Sequence, residues 1–557
     1  MTVFRAGPLV AALAAAASLV LPFHAIAKPA DAIRVGGPSA PAERKVAIVG
    51  SARSLAGKRY VVLRDGSGAV SEGRLRSAPG KPAPWSHAYR APLGSGSASG
   101  TYRVRVPALG ITSRDWIVRA AGSGNAIDRI LGFFAANRDG DEPSPIHAAS
   151  HLNDATVRGG PHDGEHIEMT GGWMDAGDMI HFAQTTSFAA AVLEAAARLD
   201  PARAPQLDAE ADVGIRWLVK AHPAPGLFIG QVGDERDHDV GFRDPAGDDA
   251  SSRPGIGHRR AYPGGPSGGI GGDIAGKAAA ALALAFDRTH DAEDLLQARQ
   301  WYAAGRAAAR PTPPLPGGFY RDPHWKDSMA GGAAALYRST GEHQYLADAL
   351  RYLRSSQAAA DGTLGVVDSF ASFAAADLCG ALGAPALGGS SNRAFACRRL
   401  REFGQIAVEQ AGDNAFGMPG FFTWGTTAQN GASGALAGLA GCRDTLPGGR
   451  AVAAGARDYM LGRNPFGRSF VVGYGPRAPV HPHHWASVFG KALPRGAVVG
   501  GPAPMDEIRG QGFAVHDPHD TAFAAYEDRR ADYVTSEPAL DYAASSILLL
   551  ATLEGGC

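Results

Sequence analysis

Two rhythms of hydrophobic and polar positions divide the chain. From about Ile33 to Val118 the apolar residues fall in short β-rich runs: Val46–Val49, Tyr60–Leu63, Tyr102–Val106 and Trp116–Val118. Asp65-Gly66 and the Gly/Ser stretch 94–100 punctuate them as turns. This spacing predicts a small β-sandwich of immunoglobulin type. Residues 120–124 (Ala-Ala-Gly-Ser-Gly) read as a linker. Beyond them the apolar period becomes helical and alanine-rich. Twelve helices are predicted, over 126–136, 180–198, 206–220, 273–286, 292–309, 327–338, 342–358, 366–382, 392–411, 428–440, 449–461 and 538–553. Twelve helices close a ring of six hairpins, an α/α toroid with an inner and an outer layer. No fixed-period repeat argues for a regular solenoid.

The connections are unequal. Long Gly/Pro-rich loops cover 139–172, 221–272 and 464–536, and they gather aromatic, His and carboxylate residues. Long loops in a compact domain are usually functional or disordered, and this composition favours function at one rim of the toroid.

The N-terminus changes the cellular picture. Arg5, the apolar stretch 9–21 and Ala25-Ile26-Ala27 read as an export signal, with a run too short to span a bilayer. The expected division is a signal peptide over 1–27, a sandwich over 28–122 and a catalytic domain over 123–557. The mature protein is expected to be secreted or periplasmic, monomeric and free of membrane. The chain has 557 residues, 45% hydrophobic and 19% charged, with 54 basic against 54 acidic side chains. A net charge of zero gives no general affinity for nucleic acid or acidic membranes and suits a neutral polymer. The four cysteines, Cys379, Cys397, Cys442 and Cys557, permit two disulfides in an exported protein. Three connectivities are open, and Cys379–Cys397 is preferred because it closes a short loop.

Three constellations carry chemistry. In Gly171-Gly-Trp-Met-Asp-Ala-Gly-Asp178, glycines free the backbone, Trp173 offers a flat face, and Asp175 and Asp178 are expected together at a helix start. Taken alone, either Asp reads as a cap or a dipole-favoured residue of the first turn. In Asp532-Tyr-Val-Thr-Ser-Glu-Pro538, Pro538 suits the first position of the last helix and puts Glu537 near its N-cap. A helix dipole there lowers a carboxyl pKa, so burial against Tyr533 or Tyr542 has to outweigh it if Glu537 is an acid. In His481-Pro-His-His484 the prolines and spacing weaken a metal site, and hydrogen bonding of sugar by His483 or His484 is the better use. Gly265-Pro-Ser-Gly-Gly269 matches a nucleophile elbow but sits in a Gly/Pro loop with no strand before it, which excludes a serine hydrolase.

Together these segments resemble glycoside hydrolase family 9, inverting cellulases with an (α/α)6 barrel and, in one subgroup, an N-terminal immunoglobulin-like domain. The likeness covers nearly the whole mature chain. It adds Gln231-Val-Gly-Asp234 with Asp237-His238, Trp325-Lys-Asp327, Trp424-Gly425 and Leu461-Gly-Arg-Asn-Pro465 in the expected order. The resemblance implies that Asp178 is the catalytic base, that Asp175 helps hold the water and that Glu537 is the general acid. It also implies a β-1,4-glucan substrate and no cofactor for the chemistry, while leaving room for a structural calcium in loops such as 233–239. Trp173, Trp325, Trp424 and Tyr533 are the expected sugar platforms, and His238, His483 and His484 the expected polar contacts. Two positions depart from the family: Trp485 stands where an arginine commonly follows the two histidines, and Phe242 where an indole is common. Altered subsites are therefore expected, with an oligosaccharide or modified glucan as the second choice of substrate. Exo action, a non-catalytic glycan-binding protein and a toroid polysaccharide lyase are the competing readings. Intact carboxylates speak against the second, and the absence of basic excess against the third.

Overall fold

The computed structural model describes residues 29–555 except 95–96, 124, 265–268, 358–363, 443–444 and 490–492. The expected export signal, Cys557 and most of the Gly265–Gly269 segment lie outside the described residues.

Nine strands come first along the described chain: β1 (Ala32–Arg34), β2 (Lys45–Ser51), β3 (Arg59–Arg64), β4 (Gly68–Arg74), β5 (Arg76–Ser77), β6 (His87–Gly94), β7 (Gly100–Val106), β8 (Ile111–Thr112) and β9 (Trp116–Val118). One antiparallel sheet runs β1-β2-β6-β5; the other runs β4-β3-β7-β8, with β9 also on β7. Alternate residues face inward, so Val49, Val62, Tyr89, Val104 and Trp116 form the core between the sheets. The other side of β2 and β6 is not free. Ile48, Trp85 and Ala88 belong to the hydrophobic core of the helical domain, and Arg457 pairs with Glu43 at 2.6 Å across the junction.

The helical domain opens with α1 (Ala126–Ala136), β10 (Thr156–Val157), β11 (His181–Phe182), α2 (Ala183–Leu199), α3 (Ala204–Lys220), β12 (Gln231–Val232), α4 (Glu235–Asp239) and β13 (Arg260–Tyr262). Then follow α5 (Gly272–Thr289), α6 (Ala292–Ala308), α7 (Trp325–Thr340), α8 (His343–Ser355), α9 (Ala371–Cys379), α10 (Gly389–Gly412), α11 (Thr426–Cys442) and α12 (Gly449–Met460). The last three are α13 (Met505–Gly510), α14 (Tyr533–Ser536) and α15 (Leu540–Glu554). Setting aside α4, α13 and α14, which are six residues or shorter, twelve helices remain among the described residues.

Neighbour contacts close a ring α2–α5–α7–α9–α11–α15–α2, and α1, α3, α6, α8, α10 and α12 pack outside it. This is an (α/α)6 barrel. Inner helices are buried almost all round, as α5 and α11 show, and their alanines and glycines let neighbours approach closely. At Gly276 of α5 an added Cβ would strike the backbone of Ser328 in α7. The Cys379–Cys397 bond forms, with Cα atoms 4.8 Å apart, and Cys442 is also disulfide-bonded. No helix among the described residues is long and apolar enough to cross a membrane.

Three of the helices whose bounds differ from expectation bear on the site. The helix expected over 180–198 begins at Ala183, because His181-Phe182 is taken up as β11 against β12. Asp175 and Asp178 therefore lie in a loop rather than in a first helical turn. The helix expected over 366–382 is shortened to α9. The last helix begins at Leu540, not Pro538, because Pro538 pairs in extended conformation with Val499.

Candidate active site

Four short strands hold the rim. β11 pairs with β12, β12 with β13 and β13 with β10, so three distant loops meet beneath residues 171–178. Behind them lies a buried charge network. Arg259, wholly buried, reaches Asp154 at 2.6 Å, Asp139 at 3.0 Å and Asp237 at 3.6 Å, and donates to the carbonyl of Met179. Asp139 also holds His151 at 2.7 Å and His181 at 2.8 Å. Asn137 completes the support: its amide donates to the carbonyls of Met174 at 2.9 Å and Ala176 at 3.3 Å.

This frame brings together the two ends of the helical domain. Leu540 N–H donates to the Asp175 carbonyl at 3.0 Å, and Gly177 N–H donates to Glu537 Oε1 at 3.3 Å, across 360 residues of chain. An added Cβ at Gly177 would collide with the His483 carbonyl and come within 2.9 Å of Glu537 Oε1, so only glycine admits the acid so close to the loop. Asp178, His238, Tyr533 and Glu537 all line a cavity of about 450 Å³, and the same four line a second of about 180 Å³. The carboxylates thus stand where two parts of one cleft join.

Their environments differ. Burial, and secondarily the charge of Asp178, pushes Glu537 up to about 8, which makes it a proton donor at neutral pH. The dipole effect expected from an N-cap position is absent, since Glu537 follows α14 in extended backbone. Both oxygens of Asp178 are held: Ile180 N–H donates to Oδ1 at 3.2 Å, and His238 Nδ1 lies 3.0 Å from Oδ2. The hydrogen bond to Asp178, with its charge, lifts His238 to about 9, so it sits as an imidazolium beside the carboxylate. Burial raises Asp175 to about 7; Tyr320 Oη donates to its Oδ2 at 2.5 Å, while Oδ1 is buried with no protein partner.

The expected sugar contacts sort into two groups. Trp424 and Tyr533 line the larger cavity with ring centroids 5.5 Å apart, Trp424 being 40% exposed. His483 lines the smaller cavity. Its Nδ1 lies 2.7 Å from the Arg530 carbonyl, which can only accept, so the neutral ring presents Nε2 as an acceptor. Burial lowers its pKa and keeps it neutral.

Three expectations are corrected. Trp173 is wholly buried: its ring fills the space left by Gly214, and Nε1 donates to Glu210 at 2.9 Å. His484 is wholly buried, with Nε2 on Asn137 Oδ1 at 2.9 Å and Nδ1 accepting from Ala486 N–H at 3.2 Å. Both ring nitrogens are used, and burial drops its pKa to about 3. Trp325, first in α7, packs at 6.1 Å edge-on to Tyr352 and is not among the residues lining the cleft.

Trp485 is largely buried with Met174 and Met179 but lines the smaller cavity, as does Phe242, which lies 4.7 Å from His483. In the loop 233–239, Asp234 is held by Arg236 and by Tyr262 at 2.6 Å, and Asp237 by Arg243 at 3.1 Å. Those carboxylates are taken by guanidinium and phenol groups and do not fit a calcium. No group of three or more His, Cys, Asp or Glu side chains among the described residues is arranged to hold a metal ion.

The glycosyl hydrolase family 9 model matches residues 124–550. The chain belongs to glycosyl hydrolase family 9. Among curated relatives, Endoglucanase 5 of Arabidopsis thaliana is 28% identical over 493 residues, 78% of this chain and 74% of that protein. Endoglucanase B of Cellulomonas fimi is 30% identical over 77% of this chain and 41% of its own length. A metagenome-derived family 9 endoglucanase structure superposes with a TM-score of 0.76 at 24% identity, over 94% of this chain and 99% of that one. A thermostable endoglucanase from Alicyclobacillus acidocaldarius gives 0.77 at 23%, over 94% and 99%. The family is that of a glycoside hydrolase, and the sandwich-plus-barrel fold is shared nearly end to end.

Proposed function

We infer that this chain is an exported endo-acting β-1,4-glucanase that inverts the anomeric centre. The observation that carries this reading is the placement of Asp178 and Glu537 where two cavities join, with Glu537 kept protonated by burial. A sugar chain has room on both sides of such a pair, and the names of the curated relatives point to glucan. Asp178, positioned by His238 and assisted by Asp175, takes a proton from water as that water attacks the anomeric carbon. Glu537 gives its proton to the departing glycosidic oxygen. Water between base and sugar accounts for inversion, and such enzymes separate their carboxyls by roughly 6.5–9.5 Å. Trp424 and Tyr533 supply stacking faces. The division at residues 27 and 122, export and a monomeric state belong to the same proposal, which needs no cofactor for the chemistry.

Purified protein assayed on carboxymethyl cellulose, mixed-linkage glucan, xylan and cello-oligomers should cleave the first two internally, with viscosity falling faster than reducing ends appear. Release of cellobiose alone, without loss of viscosity, contradicts endo action. Glu537 must be protonated to act, so kcat/KM should decline as pH rises through about 8.

A further inference from the structure

A cavity of about 250 Å³ lies away from the cleft, where the sandwich meets the barrel, with β2 and β6 on one side and α10 and α12 on the other. Its charged groups are three arginines, Arg44, Arg90 and Arg463, and a single carboxylate, Asp458. That carboxylate is already taken: Oδ1 accepts from Arg457 Nη2 at 2.9 Å, and Oδ2 from Arg463 Nη1 at 3.1 Å. Arg44 and Arg90 form no ion pair among the described residues. Arg90 stands opposite Ile48 on β2 and opposite Arg76 on β5. It therefore shares the face of Ile48, which packs into the barrel core, and has a second arginine beside it. Like charges placed opposite one another across a sheet repel.

Arginine keeps its proton throughout the physiological range, so this crowding costs free energy rather than charge. Burial lowers the Arg90 pKa, and Arg44 lowers it further. Burial also lowers Arg463, and Arg457 and Arg90 add to that effect against Asp458. Arg463 is 8% exposed, and its Nε is buried with no protein partner. Its terminal nitrogens are spent on Asp458 and on the carbonyls of Val46, Phe416 and Gly455, which fixes the guanidinium in the cavity wall. Guanidinium forks match the oxygens of carboxylates and phosphates, and charge-assisted bonds are about twice as strong as neutral ones. The space suits one small ion rather than a polymer. Val46, Ile48, Val408 and Phe416 line much of the rest, and such an apolar wall admits a carbon skeleton.

We propose that this junction cavity binds a small polyvalent oxyanion, a phosphate or a polycarboxylate, held by Arg44 and Arg90 of the sandwich against Arg463 of the barrel. Because its donors come from both domains, the anion binds only their docked arrangement and stabilises it by mass action. The site is separate from the catalytic cleft, and the inference does not rest on the glucanase reading.

Calorimetric titration of the purified protein with inorganic phosphate and with citrate, at constant ionic strength in a zwitterionic buffer, tests it. Saturable binding of at least one of them is expected, and none of chloride. Tighter binding of citrate assigns the site to organic polycarboxylates, and tighter binding of phosphate to the mineral ion. Arg90→Gln and Arg44→Gln should each weaken binding about tenfold or more, the scale of a lost charged hydrogen bond. Arg53→Gln, which removes an exposed sandwich arginine paired with Asp31, should leave it unchanged. The unfolding midpoint should rise with the concentration of the bound anion in the unsubstituted protein and much less in Arg90→Gln, whose own cooperative transition shows that it is folded. Absence of saturable binding of both anions overturns the inference. So does undiminished binding by folded Arg90→Gln and Arg44→Gln, or an equal loss in Arg53→Gln, which would mean diffuse attraction to a basic surface.

Discussion

Glu537→Gln is expected to lower kcat on cello-oligomers by at least about 10²–10⁴, the usual size of a lost acid–base contribution, while leaving the fold and much of the sugar binding intact. Asp178→Asn should lose as much. The two separate on a glycosyl fluoride, whose leaving group needs little protonation. There Glu537→Gln should recover much of its rate, and Asp178→Asn should not, because water attack remains unassisted. Asp175→Asn should cost less, since Asp175 is buried against Tyr320 and only helps position the water. Steady-state kinetics on both substrate types decide it: a folded Glu537→Gln equally inactive on both removes Glu537 from the acid role.

Arg259→Met is expected to destabilise the protein by about 3–5 kcal/mol, the cost of deleting one partner from a buried ionic network. Arg259 has no exposed surface and compensates Asp139, Asp154 and Asp237; its loss strands Asp154 and leaves Asp139 to His151 and Asp237 to Arg243. Its guanidinium also holds the carbonyl of Met179, one residue beyond the proposed base, so kcat should fall in protein that still folds. Denaturant unfolding of the variant measures the first effect. A change below about 1 kcal/mol would mean that the remaining network, including His151 and His181, neutralises the carboxylates unaided.

The chain order of the site was legible because its motifs are local. Gly171–Asp178 and Asp532–Pro538 each pack their chemistry into a few residues, and both line the observed cleft. The change from period 2 to period 3.6 marked the sandwich and the twelve barrel helices for the same reason. What escaped depends on contacts between distant segments. Nothing near Trp173 tells that Gly214, forty-one positions on, leaves a slot for its ring. His483 and His484 look alike in sequence, yet one faces the cleft while the other is consumed by Asn137 and Ala486. Tyr320 lies in an unremarkable Gly-Gly-Phe-Tyr stretch, and only the fold places its hydroxyl on Asp175. The starts of α2 and α15 were misjudged because β11 and the Val499–Pro538 bridge claimed residues that helical periodicity had claimed too.

Inversion is the most direct consequence of a base acting through water, because no glycosyl-enzyme intermediate forms. Proton NMR of a β-linked cello-oligomer, recorded in the first moments of hydrolysis before mutarotation, reads the new anomeric centre. The account predicts α-anomer appearing first and β-anomer only as the solution equilibrates; β-anomer appearing first would contradict it.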